Sequence, residues 1–294
     1  MTRRHVLIGG ATIVACGILA VWMVDAPTVA RRDLLALVGE VDRGAYVARL
    51  SGCIACHTDV KAGGAVLAGG PAIETEFGAF YSPNITPDPE DGIGDWTLDD
   101  FARALTAGES PDGRHYYPSF PYAFYTRLTD QDIVDLWAAV RSVPAVAGGP
   151  KKHELRFPMG IREFVGAWKR LYFEGGPIPS DPRRADEWNR GRYIAEGPGH
   201  CGACHTPRNF LGGRIAEERY AGAKGPEGEK IPPITVSALI ENGWEADDLA
   251  YALRTGLKPD GDVFGGSMAS VVREGTRYWS DSDLSALSAF ILNP

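Results

Sequence analysis

The sequence predicts a mainly α-helical protein built from two tandem domains of one design, with loop-rich connections and a transmembrane helix before the first domain. Three observations predict this. A stretch of about sixty residues recurs at a nearly constant distance along the chain, apolar residues follow helical spacing in both copies, and residues 6–24 carry no charge. The 294 residues suffice for two domains of ordinary size.

The N-terminal region, residues 1–32, is predicted to be a cytoplasmic tip followed by a membrane anchor. Residues 6–24 form an uncharged run of 19 residues. A helix of that length measures about 29 Å, close to the thickness of the hydrocarbon core of a bilayer. Because Arg3 and Arg4 precede this run, the positive-inside rule places the amino terminus in the cytoplasm and the remaining chain in the periplasm.

Two other interpretations of this segment stay open. The apolar run is long for a cleaved signal peptide, and it lacks a clear small-residue cleavage site. Residues 13–16, IVAC, resemble a lipobox, which predicts cleavage before Cys16 and acylation of that cysteine. Because eight more uncharged residues follow Cys16, an uncleaved anchor in the inner membrane is the first choice and a lipoprotein the second.

Each repeat contains three predicted helices around a Gly- and Pro-rich loop region. Thr97 is a good N-cap, Asp99 and Asp100 suit the first turn, and Gly108 suits the end of a helix. The last helix of each repeat also opens with a hydroxyl residue and an acidic first turn. The predicted segments are 42–57, 97–108 and 129–143 in the first repeat and 188–205, 245–256 and 280–292 in the second.

The first helix of each repeat ends at a CxxCH motif. In this motif the two thiols form thioethers to the haem vinyl groups, and the histidine places an imidazole under the iron. Redox dithiols need a βαβ context that the sequence lacks, and a zinc site usually has its two CxxC pairs at shorter spacing. The motifs therefore predict two covalently bound haem c groups, attached at Cys53, Cys56 and His57 and, 148 residues later, at Cys201, Cys204 and His205.

The repeats divide the chain into a first domain at residues 33–147, a strap at 148–186 and a second domain at 187–294. Pro and Gly bracket the strap, and its aromatic middle is predicted to contact one or both domains. Because a domain of this size has a small apolar core, a haem in each would supply the missing apolar volume.

Four segments resemble the dihaem cytochrome c subunits of bacterial membrane-bound dehydrogenases of the alcohol, aldehyde, gluconate and molybdenum-hydroxylase types. They are HCGACHTPRN at 200–209, SPNITPD at 82–88, YPSFPY at 117–122 and WKRLYF at 168–173. The resemblance covers nearly everything after residue 40 and implies two class I cytochrome c-like haem domains.

The resemblance also implies the function. Electrons would enter from a catalytic dehydrogenase subunit of flavin, PQQ or molybdopterin type, and leave to quinone, a soluble cytochrome or a terminal oxidase. The chain would then bind no small organic substrate, and its residues agree, since no convincing nucleophile–base set accompanies the predicted haem ligands. The net charge is −8 and no basic block stands out, which argues against a nucleic-acid partner.

The sixth ligand of each iron is predicted from the aligned segments PDGRHYYPSF, 111–120, and PDGDVFGGSM, 259–268. Met268 fits the distal position of the second haem, because His/Met is the common pair in electron-transfer haems. The equivalent residue of the first repeat is Phe120, which cannot bind iron, whereas many family members have Met in this motif. His115 is therefore the candidate distal ligand of the first haem, with His153 or Met159 from the strap, or a five-coordinate iron beside Phe120, as alternatives.

A five-coordinate first haem would favour another function, that of a dihaem cytochrome c peroxidase. Such chemistry needs a distal acid or base above the iron. Glu74, Glu76 and Glu109 are available, but none lies in a recognisable peroxidase motif. The predicted anchor and the resemblance to dehydrogenase subunits favour the electron carrier.

Overall fold

The computed structural model describes residues 29–149, 151–225 and 228–293. It is mainly helical, with 43% helix and 8% strand, as the sequence predicts. The predicted membrane anchor at 6–24, with Cys16, lies outside the described residues. Among the residues that are described, no helix is both long enough and apolar enough to cross a membrane.

The helices follow the predicted repeat. In the first repeat they are α1 (Val41–Leu50), α2 (Cys53–His57), α3 (Leu98–Ala107), α4 (Tyr122–Tyr125) and α5 (Asp130–Ser142). The strap contributes α6 (Glu163–Tyr172). The second repeat forms α7 (Asp186–Glu196), α8 (Gly202–His205), α9 (Val236–Glu241), α10 (Ala246–Thr255), α11 (Gly266–Glu274) and α12 (Asp281–Ile291).

The predicted helix ends are confirmed at the capped positions. Thr97 and Asp100 form a reciprocal capping box at the start of α3, and Gly108 ends that helix with φ 63°. Thr129 and Ser280 accept backbone N–H groups at the starts of α5 and α12. These ends are local features, which explains why the sequence alone locates them.

Short strands in the loop regions are the main difference from the sequence prediction. The loop after α2 contains an antiparallel hairpin of β1 (Ala72–Thr75) and β2 (Gly78–Tyr81), in which Ala72 pairs with Tyr81. Residues of the strap add β3 (Glu154–Leu155) to the free edge of β2, antiparallel to it. A second pair of strands, β4 (Ala223–Lys224) and β5 (Lys230–Ile231), lies in the second repeat.

The first and last long helices of each repeat pack closely because a glycine lies at their crossing. A Cβ on Gly44 of α1 would come within 1.8 Å of the Asp135 carbonyl oxygen in α5. A Cβ on Gly191 of α7 would come equally close to the Ala286 carbonyl oxygen in α12. Each crossing borders one hydrophobic cluster, so the described structure contains two cores of similar construction.

The two repeats contact each other through a reciprocal pair of tyrosines. Tyr46 of α1 donates a 2.6 Å hydrogen bond to Asp283 at the start of α12, and its oxygen also accepts the N–H of Ser280. Tyr193 of α7 makes the corresponding bonds with Asp132 and Thr129 at the start of α5. The first helix of each repeat is therefore tied to the last helix of the other.

We expect the Gly191→Ala variant to be destabilised by about 1–3 kcal/mol, the usual cost of overpacking a well-packed contact. The added methyl group would meet the backbone of α12, which cannot move aside as a side chain would. Thermal unfolding followed by circular dichroism measures the effect. Gly160→Ala is the matched control, because a Cβ there has no atom within 4 Å, and equal midpoints for both variants would contradict the account of the crossing.

Candidate functional site

Each CxxCH motif forms a single helical turn placed directly after a long helix. Gly52 has a φ of 69°, which turns the chain between α1 and α2. In the second repeat the turn lies at 197–200, and His200 has a φ of 39°. Cysteines three residues apart on such a turn face the same side, as attachment to the two vinyl groups of one porphyrin requires.

The imidazole of each motif is oriented by a backbone carbonyl. Nδ1 of His57 lies 2.8 Å from the Pro83 oxygen, and Nδ1 of His205 lies 2.8 Å from the Pro232 oxygen. Since a carbonyl only accepts, Nδ1 carries the proton in both rings and Nε2 presents its lone pair. Burial lowers the pKa of both histidines, which keeps the rings neutral. A neutral ring held through its second nitrogen is the usual state of a metal-ligating histidine.

The cysteines lie in apolar surroundings rather than in redox-active ones. Burial raises the pKa of Cys53 and of Cys201 to about 12. Reactive dithiols depend instead on a lowered thiol pKa. None of the four motif cysteines forms a disulfide, and within the described ranges no three His, Cys, Asp or Glu side chains lie close enough to share one metal ion. The donor set fits thioether attachment and a single imidazole ligand for each haem.

The predicted distal residues occupy corresponding places in the two cores. Phe120 and Cys53 both pack against the hydrophobic cluster of the first repeat. Met268, in the first turn of α11, and Cys201 both pack against the cluster of the second. The loops before them also correspond, since isolated bridges join Glu109 to His115 and Leu257 to Val263.

The structure places His115 against the strap. Its Nδ1 lies 3.0 Å from Nζ of Lys169, and its ring packs beside Gly166, both in α6. Lys169 is almost fully buried and also donates a 2.6 Å hydrogen bond to the carbonyl of Ala107 and one of 3.4 Å to Glu109. These contacts dock α6 onto the first repeat. Ligation of the first iron by His115 stays a prediction.

The alternative ligands from the strap also lie beside the YPSFPY segment. The ring of His153 packs edge-on against Phe80 and Tyr117, with centroid distances of 5.3 and 5.6 Å, and its Nδ1 accepts the N–H of Tyr81. The carbonyl of Met159 accepts the hydroxyl of Tyr117. Both residues thus contact the ligand loop of the first repeat, and iron ligation by either stays untested.

The three glutamates considered for peroxidase chemistry lie apart in the structure. Glu74 lies in β1, Glu76 in the turn of the hairpin, and Glu109 beside the buried Lys169.

His200, which sequence reasoning passes over, lies between the two attachment sites. It directly precedes Cys201, and its ring lies beside Gly52, which directly precedes Cys53. The ring of Tyr125 packs against His200 at 5.9 Å, and the Tyr125 hydroxyl donates a 2.5 Å hydrogen bond to the Ser51 carbonyl. Cys56 is close enough to Cys204 for that thiol to add to the rise in its pKa, which is caused mainly by burial. The two motifs therefore face each other across the interface between the repeats.

The chain is similar to several curated proteins. It is 42% identical to a dihaem c-type cytochrome of Cereibacter sphaeroides, over 98% of this chain and 97% of that protein. It is 40% identical to the cytochrome c subunit of a quinone-dependent alcohol dehydrogenase of Gluconobacter oxydans and 39% identical to the cytochrome subunit of a fructose dehydrogenase of Gluconobacter japonicus. Those two matches cover 85% of this chain but only 54% and 52% of the two subunits, so the chain spans about half of their length. No family model matches the chain.

Proposed function

The chain belongs to the dihaem c-type cytochromes, the family that includes the cytochrome c subunits of alcohol, fructose and gluconate dehydrogenases, and from this we propose that it carries electrons from a partner dehydrogenase to the respiratory chain. The dihaem relative implies two covalently bound haem c groups in this chain, and the cytochrome subunits of dehydrogenase complexes imply electron transfer. The partner, the membrane anchor and the downstream acceptor are the parts that we propose.

One observation carries the proposal. Two CxxCH turns, one in each repeat, each present a neutral imidazole whose Nδ1 is held 2.8 Å from a proline carbonyl. A bound haem c supplies a reversible one-electron iron couple. The motif cysteines would hold the porphyrin through thioethers, the proline carbonyls orient the imidazoles, and the apolar clusters would keep water away from the haem. This arrangement supports electron transfer.

We assign the iron ligands from the same geometry. His57 and His205 are the proximal ligands, and Met268 is the distal ligand of the second haem. The shared location of Met268 and Cys201 at the second cluster supports the last assignment. Because a methionine ligand raises the potential and a second histidine lowers it, His115 at the first iron would make the first haem the lower-potential site.

His115 is tested by its replacement with alanine. If it ligates the first iron, His115→Ala converts that haem from low spin to high spin, which EPR of the oxidised protein detects directly. His153→Ala is the parallel variant, since this ring also lies beside the YPSFPY loop and is an alternative ligand, and it should stay low spin if His115 binds the iron. If the first haem stays low spin in His115→Ala, His115 does not bind the iron. Its role would then be its contacts with Lys169 and Gly166 of α6.

The proposed domain organisation follows the repeat. Residues 33–147 and 187–294 each hold one haem, residues 148–186 form the strap, and residues 1–32 are the cytoplasmic tip and anchor. The haem domains lie in the periplasm, and acylation of Cys16 is the second choice for membrane attachment. The two hydrophobic clusters, one for each motif, support the division into two haem domains.

The partner is proposed to be a catalytic subunit of flavin, PQQ or molybdopterin type, and the acceptor to be quinone, a soluble cytochrome or a terminal oxidase. Purification of the chain from membranes in mild detergent, followed by mass spectrometry of the proteins that co-elute, tests the partner. We expect a catalytic dehydrogenase subunit in the complex. Isolation as a lone subunit, together with rapid oxidation of the reduced haems by peroxide, would instead favour the peroxidase alternative.

A further inference from the structure

The strap helix α6 has two apolar sides. Its inner side, with Val165, Gly166 and Lys169, is buried against the first repeat. On the opposite side Phe164, Trp168 and Leu171 follow each other at i, i+4 and i+7, which aligns them in one stripe. Phe164 is 44% exposed and Leu171 is 46% exposed, so these two side chains of the stripe are accessible to solvent.

The stripe continues onto a loop of the second repeat. The indole Nε1 of Trp168 donates a 2.9 Å hydrogen bond to the carbonyl of Leu211. Leu211 is 44% exposed, and its neighbour Phe210 is 90% exposed. We call these five residues the strap surface: Phe164, Trp168, Leu171, Phe210 and Leu211. Contiguous exposed apolar residues of this kind mark an interaction surface.

The strap surface lies next to the point where the N-terminal segment joins the described structure. Val29 lies against Gly175, three residues after the end of α6, and a Cβ on that glycine would come within 2.6 Å of Val29. The uncharged run ends at Val24, and the five residues from there to Val29 span at most about 18 Å. If residues 6–24 cross the bilayer, the end of α6 is held near the membrane surface.

The charge of the strap also fits an anionic membrane. Residues 148–186 contain eight Lys and Arg against five Asp and Glu, a net charge of +3 in a chain whose total is −8. The remaining residues therefore carry −11. Basic segments near a membrane are attracted to anionic lipid by about 1 kcal/mol for each Lys or Arg close to the surface. The same anionic surface would repel the acidic remainder of the chain, which favours the strap as the side that faces lipid.

From this placement we propose that the strap surface is a second membrane contact, in which Phe164, Trp168 and Leu171 insert into the headgroup region of an anionic bilayer. The inference rests on the proposed anchoring by residues 6–24. Tryptophan at the interface and an apolar stripe flanked by basic residues are the features of helices that lie on membranes. Two points of contact would fix the tilt of the haem domains relative to the membrane, which a single point of attachment cannot do.

The test uses the full chain with both haems, in a Cys16→Ser background. A nitroxide label is attached at Phe164→Cys or, as a second site, at Leu171→Cys. The protein is reconstituted in vesicles of phosphatidylethanolamine and phosphatidylglycerol. EPR power saturation then compares collisions of the label with O2, which concentrates in lipid, and with a nickel chelate, which stays in water. A label at Tyr251→Cys, an exposed position of α10, is the matched control.

We expect an O2-to-nickel collision ratio several-fold higher at 164 and 171 than at 251, and a smaller ratio in vesicles of phosphatidylcholine alone. Equal ratios at all three sites in protein that floats with the vesicles would overturn the strap contact and leave the anchor intact. Protein that fails to float would overturn both. If the labels at 164 and 171 become shielded from nickel only when the catalytic subunit is bound, the strap surface contacts that protein partner and not the membrane.

Discussion

A chain in which Cys201 and Cys204 are both replaced by alanine is expected to carry one covalently bound haem instead of two. The thioethers hold the porphyrin in place, and the porphyrin supplies part of the apolar core of a domain of about a hundred residues. The cluster around Ile194, Leu287 and Phe290 would lose this contribution, so the second repeat should also unfold at a lower temperature. Intact-mass spectrometry and haem absorbance per chain measure the first effect, and circular dichroism measures the second.

The control for this variant is Cys16→Ala, which removes a thiol outside both motifs and should retain both haems. The reciprocal change, Cys53→Ala with Cys56→Ala, should leave only the second haem. Two covalently bound haems in either double variant would show that attachment does not use these motifs. That result would remove the basis for all the assignments of iron ligands.

Replacement of Met268 by alanine is expected to lower the potential of the second haem by on the order of a hundred millivolts or more. Axial ligands set haem potentials over a range of about 0.8 V, and loss of a thioether removes the ligand that raises the potential. Because Met268 lies in the first turn of α11 at the second cluster, its loss should leave the fold largely in place. A redox titration of the haem bands measures the shift, and disappearance of the Met-to-iron charge-transfer band identifies its cause.

Met159→Ala is the comparison variant, since this methionine lies beside the ligand loop of the first repeat, where its carbonyl accepts the Tyr117 hydroxyl, and its loss should leave the second haem unchanged. Phe120→Met provides the reciprocal test, because it restores a thioether at the position equivalent to Met268 and should raise the potential of the first haem. An unchanged titration in Met268→Ala would mean that another residue ligates the second iron.

The sequence predicts most of the helical framework because its signals are local. The capping box at Thr97, the left-handed Gly108 and the N-cap at Ser280 are each specified by residues within one turn, and all three occur as expected. The hairpin of β1 and β2 is missed because its Gly- and Pro-rich surroundings indicate loop. Its third strand depends on strap residues more than seventy positions away, a pairing that no local pattern indicates.

The same division between local and distant information applies to the site. The CxxCH spacing identifies the cysteines and the imidazoles, but the carbonyls of Pro83 and Pro232 that orient the rings come from loops 26 and 27 residues further along. The position of His200 between the motifs depends on how the two repeats meet. The contact of His115 with Lys169 likewise depends on where α6 docks, which the sequence leaves open.

The most direct test of electron transfer through this chain follows both haems during turnover of the purified complex. The oxidised complex is mixed rapidly with the substrate of its catalytic subunit, and the absorption bands of the two haems are recorded. We predict that both haems become reduced within the time of one catalytic turnover. Haems that stay oxidised while the catalytic subunit reduces an artificial dye at its full rate would contradict the proposal that this chain receives the electrons.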